Sequence, residues 1–215
     1  MEYCQGMASR PTATSFALLG LIGVKPWTAY ELVAQARRSL HFFWPRSEAH
    51  LYAELKRLVE RGHANAELVE GKRRQRTLYT ITPAGRSALT EWLATEPAAP
   101  AIEVEALLRM LLADQGSLPD LRAALATTSR QAREMRDDAI NLGEELLGAG
   151  GPFPQRLHLT ERVVALYGEF LLLLIRWCDE TSDEVAKWSD TRDLGLTPQG
   201  RDRLENLVDR AREIP

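Results

Sequence analysis

Lys72, Arg73, Arg74 and Arg76 place four cations within five residues. Such a cluster suits charge-assisted hydrogen bonding to phosphate oxygens. Upstream, the segment 47–62 carries His50, Lys56 and Arg57 together with Ala49 and Ala53. At about 100° per residue, these five share the helix face opposite Leu51, Leu55, Leu58 and Val59. Small residues let a helix approach base edges closely, and Lys and Arg reach phosphates and guanines. The plain reading is an amphipathic surface helix followed by a solvated turn. The sharper one is a reading helix beside a backbone-binding loop.

Other chemistries find little support. No GxSxG, HExxH or GxGxxG motif occurs, and Gly148-Ala149-Gly150-Gly151 lacks the Lys-Ser/Thr of a phosphate-cradling loop. The pairs Glu103/Glu105 and Glu144/Glu145 fall on helices as solvated faces. His41, His50 and His63, with Glu48 nearby, have no recognised ligand spacing. We therefore expect no enzyme activity, no metal and no cofactor. Cys4 and Cys178 lie far apart in sequence, which suits a reducing compartment. The start is polar and reads as no signal peptide, with Met1 or Met7 as the initiator. The most apolar run, 170–175, is far too short to cross a bilayer. A cytoplasmic location is the expectation.

The elements that must position these residues follow from periodicity and punctuation. A mostly buried helix is expected over 14–24, ended by Pro26, which lacks the amide a continuing helix needs. Thr28 can cap a second helix over 29–40. After a loop, 41–46, Ser47 can cap the third. Gly62 ends it. Residues 64–70 and 76–82 read as an antiparallel pair with Tyr79 and Ile81 on one face. Thr82-Pro83 starts a helix through 94. Helix, hairpin, helix in this order is the plan of a winged helix-turn-helix.

Pro97 and Pro100 mark a linker, and all beyond it reads as helix. Residues 118, 121, 125, 128, 132, 135, 139, 142 and 146 alternate three and four apart. Residues 163, 167, 170, 174, 177, 181, 185 and 188 form a second series with spacings of four and three. Both are coiled-coil-like seams with little local core to bury them, so packing against a second protomer is expected. The fold class is thus mainly α with a small β-hairpin wing. Residues 1–13 are an N-terminal extension, 14–96 the winged-helix domain and 97–215 the helical dimerisation and effector domain. The phrase 196–201 echoes 81–86, the same helix start used twice.

Charge divides along the same boundary. The chain of 215 residues has a net charge of −3. Residues 1–96 hold 13 basic against 9 acidic residues, whereas 97–215 hold 14 against 21. A basic head on an acidic body suits a DNA-binding module with a separate assembly module.

Leu18-Leu19-Gly20-Leu21-Ile22, Tyr30-Glu31-Leu32, Ser47 with 52–58, Gly62 and Tyr79-Thr80-Ile81-Thr82-Pro83-Ala84-Gly85 together resemble the PadR family of bacterial transcriptional regulators. The resemblance covers 14–95, and the acidic remainder is similar to the larger C-terminal dimerisation domain of one branch of that family. It implies a homodimeric repressor on operator DNA, released by a phenolic or hydrophobic small molecule. It also implies that Tyr52 faces DNA. With it, Thr28, Tyr30, Arg46, Ser47, His50, Lys56, Arg57, Lys72, Arg73, Arg74 and Arg76 form the expected DNA-contacting set. Trp92, Tyr167, Phe170 and Trp177 could line an effector pocket, although aromatics at helical spacing more often form core. The alternative is a winged-helix protein–protein interaction module whose basic face meets an acidic partner.

Overall fold

A computed structural model describes residues 10–70, 75–192 and 194–214. The chain divides into two compact units, 1–100 and 101–215. Among the described residues, three antiparallel strands and four helices make up the first, and the second holds helices joined by turns, with no strand.

In the first unit, α1 spans Ala13–Ile22 and is buried on nearly every side, with Leu18, Leu19 and Ile22 at its centre. Its N-cap Thr12 forms a capping box with Ser15. Trp27 turns the chain by donating its indole N–H to the Leu21 carbonyl at 2.8 Å. A short strand, β1 (Trp27–Thr28), follows. It went unseen in the sequence because two residues carry no alternation to read. Then come α2 (Ala29–Leu40), capped by Thr28, and α3 (Glu48–Glu60), capped by Ser47. Strands β2 (Ala64–Val69) and β3 (Arg76–Ile81) form the hairpin. The sheet order is β1-β3-β2, with Trp27 opposite Tyr79 and Ala64 opposite Ile81.

Helix α4 (Pro83–Leu93) starts on Thr82, whose hydroxyl accepts from the Gly85 amide and donates to the Gly62 carbonyl. Gly62 itself takes φ 70°, a left-handed turn suited to glycine, and so releases the chain from α3 into β2.

The second unit holds α5 (Glu105–Leu111), α6 (Leu118–Ala149), α7 (Leu157–Val185) and α8 (Pro198–Arg212). Gly150 and Gly151, both with positive φ, break α6 from α7. The two long helices run antiparallel: Arg122 near the start of α6 donates to the carbonyls of Val185 and Ala186 at the end of α7. Leu121, Leu125 and Val185 form a core, against which Met110, Leu118, Trp177 and Trp188 pack.

Two expectations need correction here. The α6 seam is covered within this chain: Leu121, Leu125, Ala132 and Leu146 are buried. The α7 seam is partly offset: Val185 of the expected series is buried, but the other buried residues, Leu171, Ile175 and Cys178, lie one position beyond the expected Phe170, Leu174 and Trp177, which are half-buried. Val163, the expected start of the series, is exposed. The reason is the local run Leu171-Leu172-Leu173-Leu174, whose uniform apolarity lets two registers fit the same period. What remains uncovered is a different set that includes Leu108 and Leu111 on α5 and Leu159 and Leu166 on α7. None of the residues of α8 is buried, and Arg203 pairs with Glu184 of α7.

Candidate nucleic-acid interface

Helix α3 is held from below by Leu51, Leu55 and Leu58, all buried. Its opposite face presents Glu48, Ala49, Tyr52, Lys56 and Arg57 to solvent, with His50 and Ala53 half-buried. Tyr52 is 40% exposed, so the ring stands at the rim of the core rather than within it. Ser47 accepts from the His50 amide, which places the cap and the first open turn together.

Thr28 and Tyr30 sit at the start of α2. The Thr28 hydroxyl donates to Glu31 at 2.7 Å and accepts from the Glu31 amide, so it is already engaged as a cap. The Thr28 hydroxyl and the Thr28 amide both donate to the Glu31 carboxyl and hold it below its ordinary value, with Arg76 and Lys25 adding a smaller pull. Tyr30 projects freely, with 76% of its surface exposed. In the α2–α3 turn, Trp44 donates to the Thr14 hydroxyl at 3.0 Å, which pins the turn to α1. Arg46 lies over the Trp44 ring at 4.8 Å and donates to the Pro45 carbonyl. Its guanidinium is therefore folded back onto the turn. Arg76 opens β3 and is exposed. Lys72, Arg73 and Arg74, expected at the hairpin tip, lie outside the described residues.

The residue that sequence reasoning missed is Glu54. It is fully buried on α3, at 0% exposure. Its Oε2 accepts from the Thr12 hydroxyl at 3.2 Å and from the Ser15 hydroxyl, and its Oε1 accepts from Arg57. Burial pushes the carboxyl up, but the bonds from Ser15, Arg57 and Thr12 outweigh it and hold the group below the usual carboxylate value. The signal was present in the spacing: residue 54 is three beyond Leu51 and four before Leu58, so it shares the buried face. It was passed over because it is charged.

Glu54 also corrects the expectation of a basic helix face. Each cation on α3 has a carboxylate from the same helix: Arg57 with Glu54, and Lys56 with Glu60 at 3.7 Å. Glu48, in turn, pairs with Arg37 of α2. The helix carries three carboxylates against two cations, so its formal charge is −1 with histidine neutral.

The four aromatics separate. Trp92 belongs to the first unit and stacks on Phe16, with ring centroids 4.8 Å apart and planes 8° apart. Trp177 packs on the Leu121–Leu125–Val185 core. Phe170 is half-buried, as is Tyr167, whose hydroxyl is pushed up by burial and by Asp138. Among the described residues, no group of three or more His, Cys, Asp or Glu side chains could hold a metal ion. No helix there is long and apolar enough to cross a membrane.

Residues 18–91 match the transcriptional regulator PadR-like family. They form a PadR-like domain. The negative transcriptional regulator PadR of Bacillus subtilis (strain 168) is 28% identical over 79 residues, which cover 36% of this chain and 43% of that protein. The match thus spans less than half the length of that curated relative. Among solved structures, Bacillus subtilis PadR in complex with operator DNA superposes with a TM-score of 0.67 at 19% identity, covering 81% of this chain and 99% of that one. The same protein in complex with p-coumaric acid gives 0.62 at 19% identity, over 82% and 100%. A PadR-like regulator from Bacillus cereus gives 0.69 at 16% identity, over 80% and 98%. At such identities the structural likeness establishes the fold. It extends well beyond residues 18–91.

Proposed function

We propose that this chain is a cytoplasmic, sequence-specific DNA-binding regulator that acts as a homodimeric repressor. The observation that carries the reading is the open face of α3. Tyr52, Lys56 and Arg57 stand exposed on a helix anchored by Leu51, Leu55 and Leu58, and in the sequence Lys72, Arg73 and Arg74 follow between the two strands of the hairpin. That arrangement inserts a helix into a major groove and lays cations against the flanking backbone. Thr28, Tyr30, Ser47 and Arg76 are further candidate contacts, and the structural neighbour solved on operator DNA has this fold.

Two such heads, joined through the second unit, read half-sites about one helical turn apart. Exposed Leu108, Leu111, Leu159 and Leu166 support an association surface there. A small phenolic or hydrophobic effector releases the DNA by favouring one arrangement of the heads over another. The neighbour bound to p-coumaric acid supports this class of ligand, and Tyr167, Phe170 and Trp177 are the candidate contacts.

The test is a fluorescence-anisotropy titration of the full chain. It uses a duplex selected by the chain from a random library against a scrambled duplex, across a salt series and with p-coumaric acid as the effector probe. Selective, dimer-stoichiometric binding is expected. Arg73→Ala with Arg74→Ala should weaken binding to both duplexes and flatten the salt slope, by about 0.9 per lost phosphate contact. Absence of binding to either duplex would leave an interaction module for an acidic protein partner.

A further inference from the structure

We infer that Glu54 sets the sequence discrimination of α3 by cancelling the charge of Arg57. The inference rests on the DNA-binding reading above and goes beyond it. General attraction to DNA scales with the number of phosphates that free cations neutralise, and carries no sequence information. A cation held against a buried carboxylate contributes little to that attraction. It keeps its remaining N–H groups as donors in a fixed place.

The geometry fits this role. Glu54 is wholly enclosed, so its charge is met by protein groups rather than by water. Three donors converge on its two oxygens: Thr12 and Ser15 on Oε2 and Arg57 on Oε1. The two hydroxyls are neutral, so Arg57 is the cation that balances the carboxylate, and it does so from a side chain 45% exposed. The same two hydroxyls form the α1 capping box. Glu54 is thereby fixed by the scaffold and not by Arg57 alone. The guanidinium, in contrast, sits at the surface of the last turn of α3, tied to an immobile anchor. The lysine at the preceding position, Lys56, is 80% exposed with a loose partner 3.7 Å away, and remains a general phosphate-seeking charge. Adjacent cations on one helix thus take different tasks: Lys56 attracts, and Arg57 discriminates.

The experiment compares wild type, Glu54→Gln, Glu54→Asp and the double variant Glu54→Gln/Arg57→Gln. Each full chain is titrated with the library-selected duplex and with a random duplex across a salt series. Glu54→Gln unmasks Arg57. We expect several-fold tighter binding to the random duplex at low salt, a log–log salt slope steeper by up to about 0.9, and a lower selected-to-random ratio. Glu54→Asp restores the charge and should return the slope towards wild type.

The double variant removes the pair as a unit without changing net charge, so no uncompensated charge is left buried. It should keep the wild-type slope on the random duplex, and it decides the matter if Glu54→Gln fails to fold. A shallower slope in the double variant, by about 0.9, would overturn the inference, since Arg57 would then be a free phosphate contact. So would a Glu54→Gln chain that folds and either matches wild type or loses equal affinity for both duplexes. A wild-type chain that selects no duplex would instead overturn the DNA-binding reading itself, and this inference with it.

Discussion

The His63 carbonyl oxygen occupies the space that a side chain at Gly85 would need: a Cβ there would lie 2.1 Å from it. The same oxygen accepts from the Thr82 amide at 3.1 Å, so it cannot withdraw without breaking the junction between the hairpin and α4. Gly85→Ala should therefore destabilise the full chain by about 3 kcal/mol or more, the upper end of overpacking costs. Gly143→Ala is the control, since a Cβ there meets nothing within 4 Å. It lies inside α6 and should be neutral or stabilising by about 0.5–1 kcal/mol. Urea unfolding of both variants checks the pair.

Acid should loosen the first unit through Glu54. Its folded-state pKa is lowered from an ordinary value of 4.5, so the charged form is favoured by folding. The corresponding stability is present above that value and is lost as pH falls through it towards the lower, folded-state value. Unfolding midpoints measured from about pH 6 down to about pH 3 should fall less steeply in Glu54→Gln than in wild type. Equal slopes would show that Glu54 is as easily protonated folded as unfolded.

His50 and Lys56 should separate selectivity from general affinity. Lys56→Ala removes an exposed cation. It should weaken selected and random duplexes alike and lower the salt slope by at most about 0.9. His50→Ala should cost the selected duplex about 1–3 kcal/mol, as for a lost base contact, with the random duplex unaffected. Competition anisotropy reads both.

In the second unit, packing should outweigh ion pairs. Leu125 is 1% exposed between the long helices, and Leu125→Ala should cost about 2–5 kcal/mol. Asp179 joins Ser129 and Arg133 across the same pair of helices, but its ion pair with Arg133 is 43–49% exposed. Asp179→Ala should cost under about 1 kcal/mol. Thermal melts of the two variants should differ by several degrees.

Caps and breakers were legible residue by residue, because their chemistry is local. Thr28, Ser47, Thr82 and Thr197 each cap the helix they were expected to begin. Strand β1 was not legible, since two residues become a strand only when Tyr79 and Leu78 of β3 lie opposite them. The α7 register also escaped. Where every position from 171 to 174 is leucine, only the partner helix chooses which ones are enclosed.

The sequence by itself determined the order of the winged-helix helices and of the β2–β3 hairpin, the caps that delimit them and the open face of α3, because helical period and capping act within a few residues. Only the tertiary structure decided that Glu54 lies inside. A carboxylate is buried when groups distant in the chain converge to satisfy it, and here those are Thr12 and Ser15, some forty residues upstream. The pairing of the α3 cations is local by contrast: Arg57 meets Glu54 and Lys56 meets Glu60 on the same helix, three and four residues apart.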